Sequence, residues 1–392
     1  MQDNEKKPAL RFKGFTDPWE QRKLSDIVEK VTEKNAGLQY IETFTNSAEF
    51  GIISQRDFFD HDISKIGSLD GYYVVHNEDF VYNPRISVTA PVGPINRNKL
   101  GRTGVMSPLY TVFRPHDIDT TYLEHFFKSG YWHSFMNFNG GSGARSDRFS
   151  IKDSVFFEMP IPTPDIEEQK KIGEFLTQLD TLITLHQRKY EKLVNIKKSM
   201  LDKMFPQNGA SVPEIRFKGF TDPWEQRKLT NLCEKFTDGD WIEAKDQSDS
   251  GVRLVQTGNV GVTEYLDKPN NKKWISFETF EQLHCEEVYP GDILISRLPE
   301  PAGRACIMPN LGTKMITAVD CTIVRPNAVT STRFLLQYLS SQAYFDAVNT
   351  CLAGGTRQRI SRGNLAQFNV PIPSSKIEQE KIGEVLEKLD TL

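Results

Sequence analysis

Residues 11–24 read RFKGFTDPWEQRKL, and residues 216–229 repeat the same fourteen letters. The two copies begin 205 residues apart in a chain of 392 residues. Chance does not produce fourteen identical residues, a tryptophan among them, so the chain contains an internal duplication. The sequence therefore predicts two homologous halves, each opened by the same segment.

A second repeat closes each half. From Phe157 the chain reads FEMPIPTPDIEEQKKIGEFLTQLDTL, and from Phe368 it reads FNVPIPSSKIEQEKIGEVLEKLDTL, one residue shorter before the Ile-Gly-Glu step. Between these ends the halves diverge, apart from short matches such as Arg148-Phe-Ser against Arg359-Ile-Ser. Fixed ends indicate a common scaffold or identical partners, and variable middles indicate different targets. Duplication followed by drift is the alternative, although drift alone would not spare the ends.

The variable middles have the composition of an α+β fold. Segments rich in β-branched and aromatic residues predict short strands, with Gly, Pro and Asn supplying the turns between them. These strands begin near Gly71, Asp79 and Leu109 in the first half and near Asp292 and Cys321 in the second. Residues 122–136 and 333–348 each predict one helix, because a Thr or Ser able to cap it precedes each.

Residues 166–204 predict one long helix. Gly and Pro are missing between Gly173 and Pro206, and apolar residues recur every three or four positions over more than four heptads. This spacing is typical of a coiled coil, and at 1.5 Å per residue the helix would be about 58 Å long. Residues 206–214 then predict a linker that ends the helix.

The same apolar pattern begins again near the end of the second half, at Ile382, Leu386 and Leu389. The sequence then stops at Leu392, well before a second helix could match the first. We therefore expect either a short second coiled-coil helix or a truncated product. In both cases the expected antiparallel partner for residues 183–204 is missing.

Composition excludes several classes of protein. A net charge of −4 and a pI of about 6.1 argue against a protein that coats DNA non-specifically, but they allow local positive charge. The opening residues lack the apolar core of a signal peptide, and no apolar run approaches the roughly 18 residues of a membrane span. We expect a cytoplasmic protein. The five cysteines all fall in the second half without a C-x-x-C pair, which argues against a disulfide framework or a zinc site.

The doubled FKGFTDPWEQRKL, together with the doubled PIP…LDTL segment and its long helix, resembles the specificity subunits of type I restriction–modification systems. The resemblance covers nearly the whole layout and is specific in the repeated ends. It implies an α+β fold with two pseudo-symmetric target-recognition domains separated by long coiled-coil helices. The implied domains are residues 1–165 and 215–375, with the central helix at 166–205, a linker at 206–214 and the second helix at 376–392.

The resemblance also implies function and partners. In that family each target-recognition domain reads one part of a bipartite, asymmetric site in double-stranded DNA, and the helices set the distance between the parts. Two modification subunits, which methylate adenine, dock on the shared segments, and ATP-dependent restriction subunits join them. S-adenosylmethionine, ATP and Mg²⁺ are therefore expected on the partner subunits and not on this chain, for which we predict no catalytic, cofactor or metal site.

Two glycine-rich loops are the first candidates for contact with DNA. Arginine reads guanine or anchors phosphate, and glycine lets the backbone approach the duplex closely. The loops occupy matching places, at 140–148 and 354–362, and they carry Arg145 and Arg148 in the first half and Arg357, Arg359 and Arg362 in the second. A flexible loop with solvated charges is the alternative.

A second group of candidates lies inside the variable middles, where basic residues follow predicted strands. The group comprises Arg85, Arg97, Lys99 and Arg102 in the first half and Arg297 and Arg304 in the second. Separately, six basic residues of the long helix could follow the phosphates, meet an acidic partner or form a solvated face: Arg188, Lys189, Lys192, Lys197, Lys198 and Lys203. Trp19 and Trp224, identical in diverged surroundings, suggest a shared contact at the junction of domain and helix, with core packing as the alternative.

Two rival functions stay open at this point. An autonomous methyltransferase or nuclease is one, but Asn83-Pro-Arg-Ile is a poor echo of an adenine methyltransferase loop, and no phosphate-binding G-x-x-x-x-G-K-[ST] loop is present. The Asp165…Glu168-Gln-Lys170 set resembles a nuclease motif, yet acidic capping of a helix start explains it better. A coiled-coil scaffold without a role at DNA is the other rival.

Overall fold

The computed structural model of the chain describes residues 8–59, 66–142, 146–207, 209–354 and 358–390, and for residues 66, 67 and 142 it describes the backbone alone. Contacts divide the chain into two compact units, Met1–Leu185 and His186–Leu392, called unit 1 and unit 2 here. The division falls inside the longest helix, so each unit includes part of that helix.

Unit 1 combines short strands with short helices. Its strands are β1 Glu20–Lys23, β2 Val28–Lys30, β3 Phe44–Ser47, β4 Gly51–Ser54, β5 Tyr73–Val75, β6 Phe80–Tyr82, β7 Ile95–Arg97, β8 Gly104–Met106, β9 Thr111–Pro115, β10 Gly141–Ser142, β11 Phe149–Ser150 and β12 Pro160–Thr163. Its helices are α1 Gln55–Phe59, α2 Thr120–Lys128, α3 Tyr131–Asn139, α4 Asp153–Phe156 and the first part of α5 Ile166–Met204, with 3-10 turns at Leu24–Asp26 and Ile66–Gly71.

The central sheet of unit 1 has the strand order β2–β9–β6–β7 and is antiparallel. The strands predicted near Gly71, Asp79 and Leu109 are confirmed as β5, β6 and β9. Phe80 lies opposite Phe113 across the two middle strands, and both rings are fully buried beneath residues of the helices α2, α3 and α4. The apolar residues that predicted these strands thus form the core.

Unit 2 repeats this plan of short strands and short helices. Its strands are β13 Glu225–Lys228, β14 Cys233–Asp238, β15 Gln247–Ser248, β16 Val252–Val255, β17 Lys273–Ile275, β18 Ile293–Ser296, β19 Ala305–Ile307, β20 Met315–Thr317, β21 Cys321–Pro326 and β22 Asn369–Ile372. Its helices are the rest of α5, α6 Phe277–Gln282, α7 Thr332–Tyr338, α8 Gln342–Thr350, α9 Arg362–Gln367 and α10 Lys376–Asp390, with 3-10 turns at Leu229–Leu232, Ala244–Asp246, Thr257–Asn259 and Pro269–Asn271.

The sheet β14–β21–β18–β19 of unit 2 corresponds to the central sheet of unit 1. Unit 2 also has the four-stranded sheet β15–β17–β16–β20, where unit 1 has the separate antiparallel pairs β3–β4 and β5–β8. The strands predicted near Asp292 and Cys321 are confirmed as β18 and β21. Ile293 lies opposite Val324 in this sheet, as Phe80 lies opposite Phe113 in the other. The two middles therefore keep a common strand framework although their sequences have diverged.

The single helices predicted over 122–136 and 333–348 are wrong, because each place holds two shorter helices. In unit 1 the Ser129 hydroxyl donates to the carbonyl oxygen of Phe126 at the end of α2, and α3 starts anew at Tyr131. In unit 2 the Ser341 hydroxyl accepts a hydrogen bond from the backbone N–H of Tyr344 at 3.3 Å. Serine thus satisfies backbone groups that a continuous helix would bond internally, and this ends one helix or begins the next.

The long helix predicted over 166–204 is confirmed as α5. Its apolar ladder is covered at the ends and open in between: within unit 1 Ile172 packs against the core while Ile183 is 57% exposed. Within unit 2 Tyr190 is 69% exposed while Leu201 and Met204 are buried. Burial at its two ends ties the helix into each core.

Both copies of the duplicated opening segment bind a long helix through the same ion pair. In unit 1 Arg11 donates two hydrogen bonds to the carboxylate of Glu168 on α5, each 2.7 Å long, and the indole N–H of Trp19 donates to the same carboxylate at 3.2 Å. The Glu168 side chain is buried, so the charge-assisted bonds compensate for its removal from water.

Unit 2 repeats this ion pair at α10. Arg216 donates to both carboxylate oxygens of Glu378 at 2.7 and 3.0 Å, and the Trp224 indole N–H lies 3.4 Å from the same carboxylate. Trp224 also packs against Phe205 and Phe334 in the core. The shared contact at the junction of domain and helix is therefore present for both tryptophans. Trp19 also contacts a buried core ring, that of Tyr122.

The duplicated segments also pair with the closing segments, as two antiparallel ribbons, β1 with β12 and β13 with β22. Gln21 lies opposite Pro162, and its counterpart Gln226 lies opposite Pro371. The two Pro-Ile-Pro motifs are thus offset by two residues from the alignment that their letters suggest. Because side chains alternate along a strand, an offset of two keeps the same faces buried.

The contacts between the duplicated segments and the long helices, which are repeated in both units, are called the frame here. A glutamine next to the buried glutamate also belongs to the frame. The Gln169 side-chain oxygen accepts from the backbone N–H of Asp119 at 2.9 Å, and Gln379 accepts from the backbone N–H of Ser331 at 2.8 Å. Asp119 and Ser331 are the N-cap residues of α2 and α7. Each long helix therefore holds the start of the first helix after the variable sheet in a fixed place.

Candidate nucleic-acid interface

The glycine-rich loops fold as hairpin ends in the same place of each unit. In unit 1 Gly141 pairs with Ser150, and in unit 2 Ala353 pairs with Arg359 across an isolated bridge. Arg145 and Arg357, predicted in these glycine-rich loops, lie outside the described residues. The other three predicted loop arginines are described, and their surroundings differ between the units.

Arg148 lies directly opposite Arg85 in unit 1, although the sequence placed them in two separate groups of candidates. Their backbones form an antiparallel bridge flanked by hydrogen bonds from Phe149 N–H to the Pro84 carbonyl at 2.7 Å and from Ile86 N–H to the Asp147 carbonyl at 3.0 Å. This is the non-hydrogen-bonded type of pair, in which the side chains approach most closely. Arg85 is exposed and Arg148 is partly exposed.

Neither guanidinium of this pair has a carboxylate partner among the residues that the structure describes. Arg148 also lines a cleft of about 420 Å³. The cleft is bounded by Lys30, Tyr73, Tyr82, Pro84, Pro108, Leu109, Tyr110, Thr111, Phe149, Ser150, Ile151, Asp153 and Phe156. Aromatic rings beside basic groups suit a nucleic acid, which presents sugars and bases next to phosphates.

Sequence reasoning missed the basic and aromatic residues at this cleft. Lys30 forms an ion pair with Asp153, and the ammonium group of Lys34 lies 3.2 Å from the ring centroid of Tyr73. Tyr110 also lines the cleft, immediately before β9. The signal available was the position of both tyrosines at predicted strands, but only the folded sheet brings them to the same side as Arg148.

Arg97 and Lys99 bind acidic groups of their own unit. Arg97 donates to Glu78 at 3.0 Å, and its other terminal nitrogen lies 2.5 Å from a Glu124 oxygen, while Lys99 donates to Glu124 at 2.9 Å. Burial alone would raise the pKa of Glu124, but the hydrogen bond from Lys99 and the charge of Arg97 outweigh it and lower that pKa. These cations hold β7 against α2, and their contact with DNA stays a prediction.

Arg102 is more exposed but also paired. Its guanidinium donates two hydrogen bonds to Glu42, at 2.8 and 2.7 Å, and this hydrogen bonding lowers the pKa of the Glu42 carboxyl. A bidentate pair of this kind fixes the geometry of both side chains. Binding of Arg102 to a base would require that this pair open.

In unit 2 Arg297 and Arg304 bind groups of their own unit, and their contact with DNA stays a prediction. Arg297 is 8% exposed, donates to the Val319 carbonyl at 2.6 Å and lies near the Asp238 carboxylate. Arg304 donates to five backbone carbonyl oxygens, those of Thr257, Val260, Leu298, Pro299 and Pro301, and burial lowers the pKa of its guanidinium. As placed, their donors shape the loop that follows β18.

Arg359 and Arg362 remain at the surface of unit 2, 62% and 46% exposed at their side chains. Each faces a carboxylate of its own unit at a distance too long for a hydrogen bond: 3.8 Å from Arg359 to Asp320, and 3.7 Å from Arg362 to Asp238. Their charges are therefore partly neutralised, but the donors of their guanidinium groups stay available.

The basic residues of α5 do not form one uniform face. Lys197 forms an ion pair with Asp390, and Lys203 donates to Glu214 at 2.7 Å. The remaining four, Arg188, Lys189, Lys192 and Lys198, are exposed. Binding of phosphates or of an acidic partner by these four stays a prediction.

The fold defines a protein with two α+β units of one plan that share the long helix α5. Each unit presents a hairpin end, called its tip here, that carries Arg148 in unit 1 and Arg359 in unit 2. No helix that the structure describes is long and apolar enough to cross a membrane. The family model described as "Type I restriction modification DNA specificity domain" matches residues 16–195 and 221–392. The chain belongs to this family.

Curated relatives carry the same description. The type I restriction enzyme MjaVIII specificity subunit of Methanocaldococcus jannaschii is 23% identical over 257 residues, which is 62% of this chain and 58% of that protein. The putative MjaX specificity subunit of the same organism is 25% identical over 258 residues, 62% of this chain and 55% of that protein. The chain spans little more than half the length of these two relatives.

Solved structures share the fold. The S subunit of a type I restriction-modification system from M. genitalium has a TM-score of 0.57 at 12% identity, covering 97% of this chain and 91% of that one. A chain from a study of complex assembly and conformational transition of the type I R-M system has a TM-score of 0.50 at 16% identity, covering 96% and 91%. At these identities the likeness establishes the fold alone.

Proposed function

We propose that the chain is a non-enzymatic subunit that gives a type I restriction–modification complex its DNA sequence specificity. Each unit binds one part of a bipartite, asymmetric site in double-stranded DNA, and α5 fixes the distance between the two parts. Within each unit the hairpin end with its arginines, Arg148 in unit 1 and Arg359 in unit 2, contacts the duplex.

The observation that carries this proposal is the contrast between frame and tip. The contacts of the Arg11–Glu168 and Arg216–Glu378 pairs are the same in both units, whereas the arginines at the tips have different surroundings. A protein that must bind identical partners and two different base sequences needs this division, because partner binding requires sameness and base readout requires difference.

The partners follow from the family. We propose that modification subunits, which methylate adenine, dock on the repeated frames of the two units, and that restriction subunits join them. S-adenosylmethionine, ATP and Mg²⁺ bind to those subunits. The repetition of the frame supports two modification subunits, since two equal surfaces accommodate two copies of one partner.

The adenine methylation map of a host tests this proposal. A host with the intact gene and its modification subunit should methylate adenine at one bipartite sequence, and a host lacking only this chain should lose that methylation. An unchanged map would favour a scaffold without a role at DNA. Methyl transfer or cleavage by the purified chain alone, incubated with DNA, S-adenosylmethionine and Mg²⁺, would contradict the non-enzymatic role.

A further inference from the structure

The position of the loop arginine has a different neighbour in each unit. The strand registers Tyr82↔Thr111 in unit 1 and Ile295↔Thr322 in unit 2 make the two threonines equivalent. A backbone hydrogen bond closes the same turn just before them, from Tyr110 to Ser107 and from Cys321 to Ala318. Two residues before each threonine, without a gap, stand Leu109 in unit 1 and Asp320 in unit 2.

This exchange of residue type decides whether the arginine is neutralised. Asp320 carries the carboxylate that lies 3.8 Å from Arg359. In unit 1 the equivalent Leu109 lines the same cleft as Arg148 and is 60% exposed, but it has no charge to offer. The Asp153 carboxylate in that cleft is paired with Lys30.

Arg85 adds a second uncompensated charge in unit 1. The residue of unit 2 that follows the same strand at this position is Leu298, so the cross-strand arginine pair exists in unit 1 alone among the described residues. Like charges directly opposite each other in a non-hydrogen-bonded pair repel and destabilise the strands. An anion bound between the two guanidinium groups removes that repulsion, and each guanidinium can bind phosphate oxygens with two donors.

We propose that Arg85 and Arg148 clamp a phosphate group of the DNA backbone, and that the residue at the position of Leu109 and Asp320 sets how strongly each unit binds that backbone. Unit 1 binds phosphate through an uncompensated pair. Unit 2 presents an arginine whose charge Asp320 partly neutralises, so it contributes less to the sequence-independent affinity. This inference rests on the proposed binding of DNA.

The salt dependence of binding tests the clamp. Each phosphate contact lowers the slope of log K against log salt by about 0.9, independently of base sequence, so a mixed-sequence duplex is a suitable probe. With the full chain, the double variant Arg85→Gln/Arg148→Gln should flatten the slope by about one unit, and Leu109→Asp by at most about one. Asp320→Leu should steepen it, by at most about one unit.

Two control variants separate charge from fold. Lys13→Gln removes one exposed charge from the shared frame of unit 1 and should leave the slope unchanged. Arg85→Lys keeps the charge and loses the planar fork, so the slope should persist while affinity falls. Thermal midpoints no lower than that of the wild type would show that the variants fold.

The outcomes distinguish the clamp from the proposed function. If the wild-type chain binds the duplex but the double variant and Leu109→Asp leave its slope unchanged, the clamp is wrong and DNA binding stands. If the wild-type chain binds no duplex, alone or with its modification subunit, the proposed function fails and the clamp with it. A slope that falls equally in Lys13→Gln would show diffuse charge and would also overturn the clamp.

Discussion

The two units have the same contacts in their frames but different residues at their tips. In the frames, Arg11 and Arg216 hold Glu168 and Glu378 through the same atoms, at 2.7 to 3.0 Å. At the tips the positions remain equivalent, but unit 1 has Leu109 and Arg85 where unit 2 has Asp320 and Leu298. The comparison teaches that a duplicated scaffold can stay fixed while single exchanges at its ends change how each end meets a charged ligand.

A second ion pair that is repeated in both units, between an arginine and a buried aspartate, lies in the variable middle of each unit. Arg114 donates two hydrogen bonds to buried Asp79 in unit 1, and Arg325 donates two to buried Asp292 in unit 2. Both aspartates also accept a backbone N–H three residues upstream, at 2.8 Å. The constancy of the framework thus extends into the variable middles, up to the strands that carry the tips.

The largest effect is expected when the frame ion pair is broken. Glu378→Ala should destabilise unit 2 by about 2 kcal/mol, less than is usual for a buried pair because Arg216 can turn toward solvent. Glu168→Ala should weaken unit 1 in the same way. Hydrogen exchange measured on peptides of each unit would locate the loss.

Glu380→Ala is the matched control, because Glu380 is exposed on the same helix and should change stability by less than about 0.5 kcal/mol. If Glu378→Ala destabilised its unit while Glu168→Ala had no effect, the two frames would not be equivalent. The comparison between frame and tip would then be lost.

A smaller effect sharpens the comparison, because one repeated glycine packs more tightly in unit 2. A Cβ on Gly383 would lie 2.8 Å from the Arg333 Cβ and from the Phe334 backbone nitrogen, whereas a Cβ on Gly173 would come no closer than 3.1 Å to its neighbours. Gly383→Ala should cost about 1 kcal/mol, since overpacking exceeds the gain in helix propensity.

Gly173→Ala should be close to neutral, because its neighbours need to move by only a few tenths of an ångström. Denaturant unfolding of both variants, with the wild type alongside, would measure the difference. An equal loss in the two variants would contradict the packing difference between the units.

The frame was predictable from sequence, whereas most of the site was not. The duplicated segments predicted that both units share one frame, and the uninterrupted apolar pattern of 166–204 predicted α5. Both signals can be seen in the sequence without knowledge of contacts between distant residues. The end of α2 at Ser129, inside the single helix predicted over 122–136, was missed because a serine can occur within a helix as well as at its end. The partners of Arg97, Arg297 and Arg304 were missed because they are carboxylates and backbone carbonyls that only the folded chain brings to each guanidinium.

The pairing of Arg85 with Arg148 also shows that local sequence patterns do not predict contacts between distant residues. Both were predicted to bind DNA, for separate reasons, and 63 residues separate them in the chain. Their pairing depends on the register of a hairpin end against the loop after β6, which no local pattern encodes. Sequence reasoning thus named both residues as candidates but did not predict their arrangement.

Exchange of the variable middle of unit 1 tests the central claim most directly. Residues 25–150 would be replaced by the corresponding segment of a family member with another site, and the adenine methylation of the host would be mapped. One part of the bipartite sequence should change while the other part and the spacing persist. A change in both parts, or in neither, would contradict two independent readers held in a common frame.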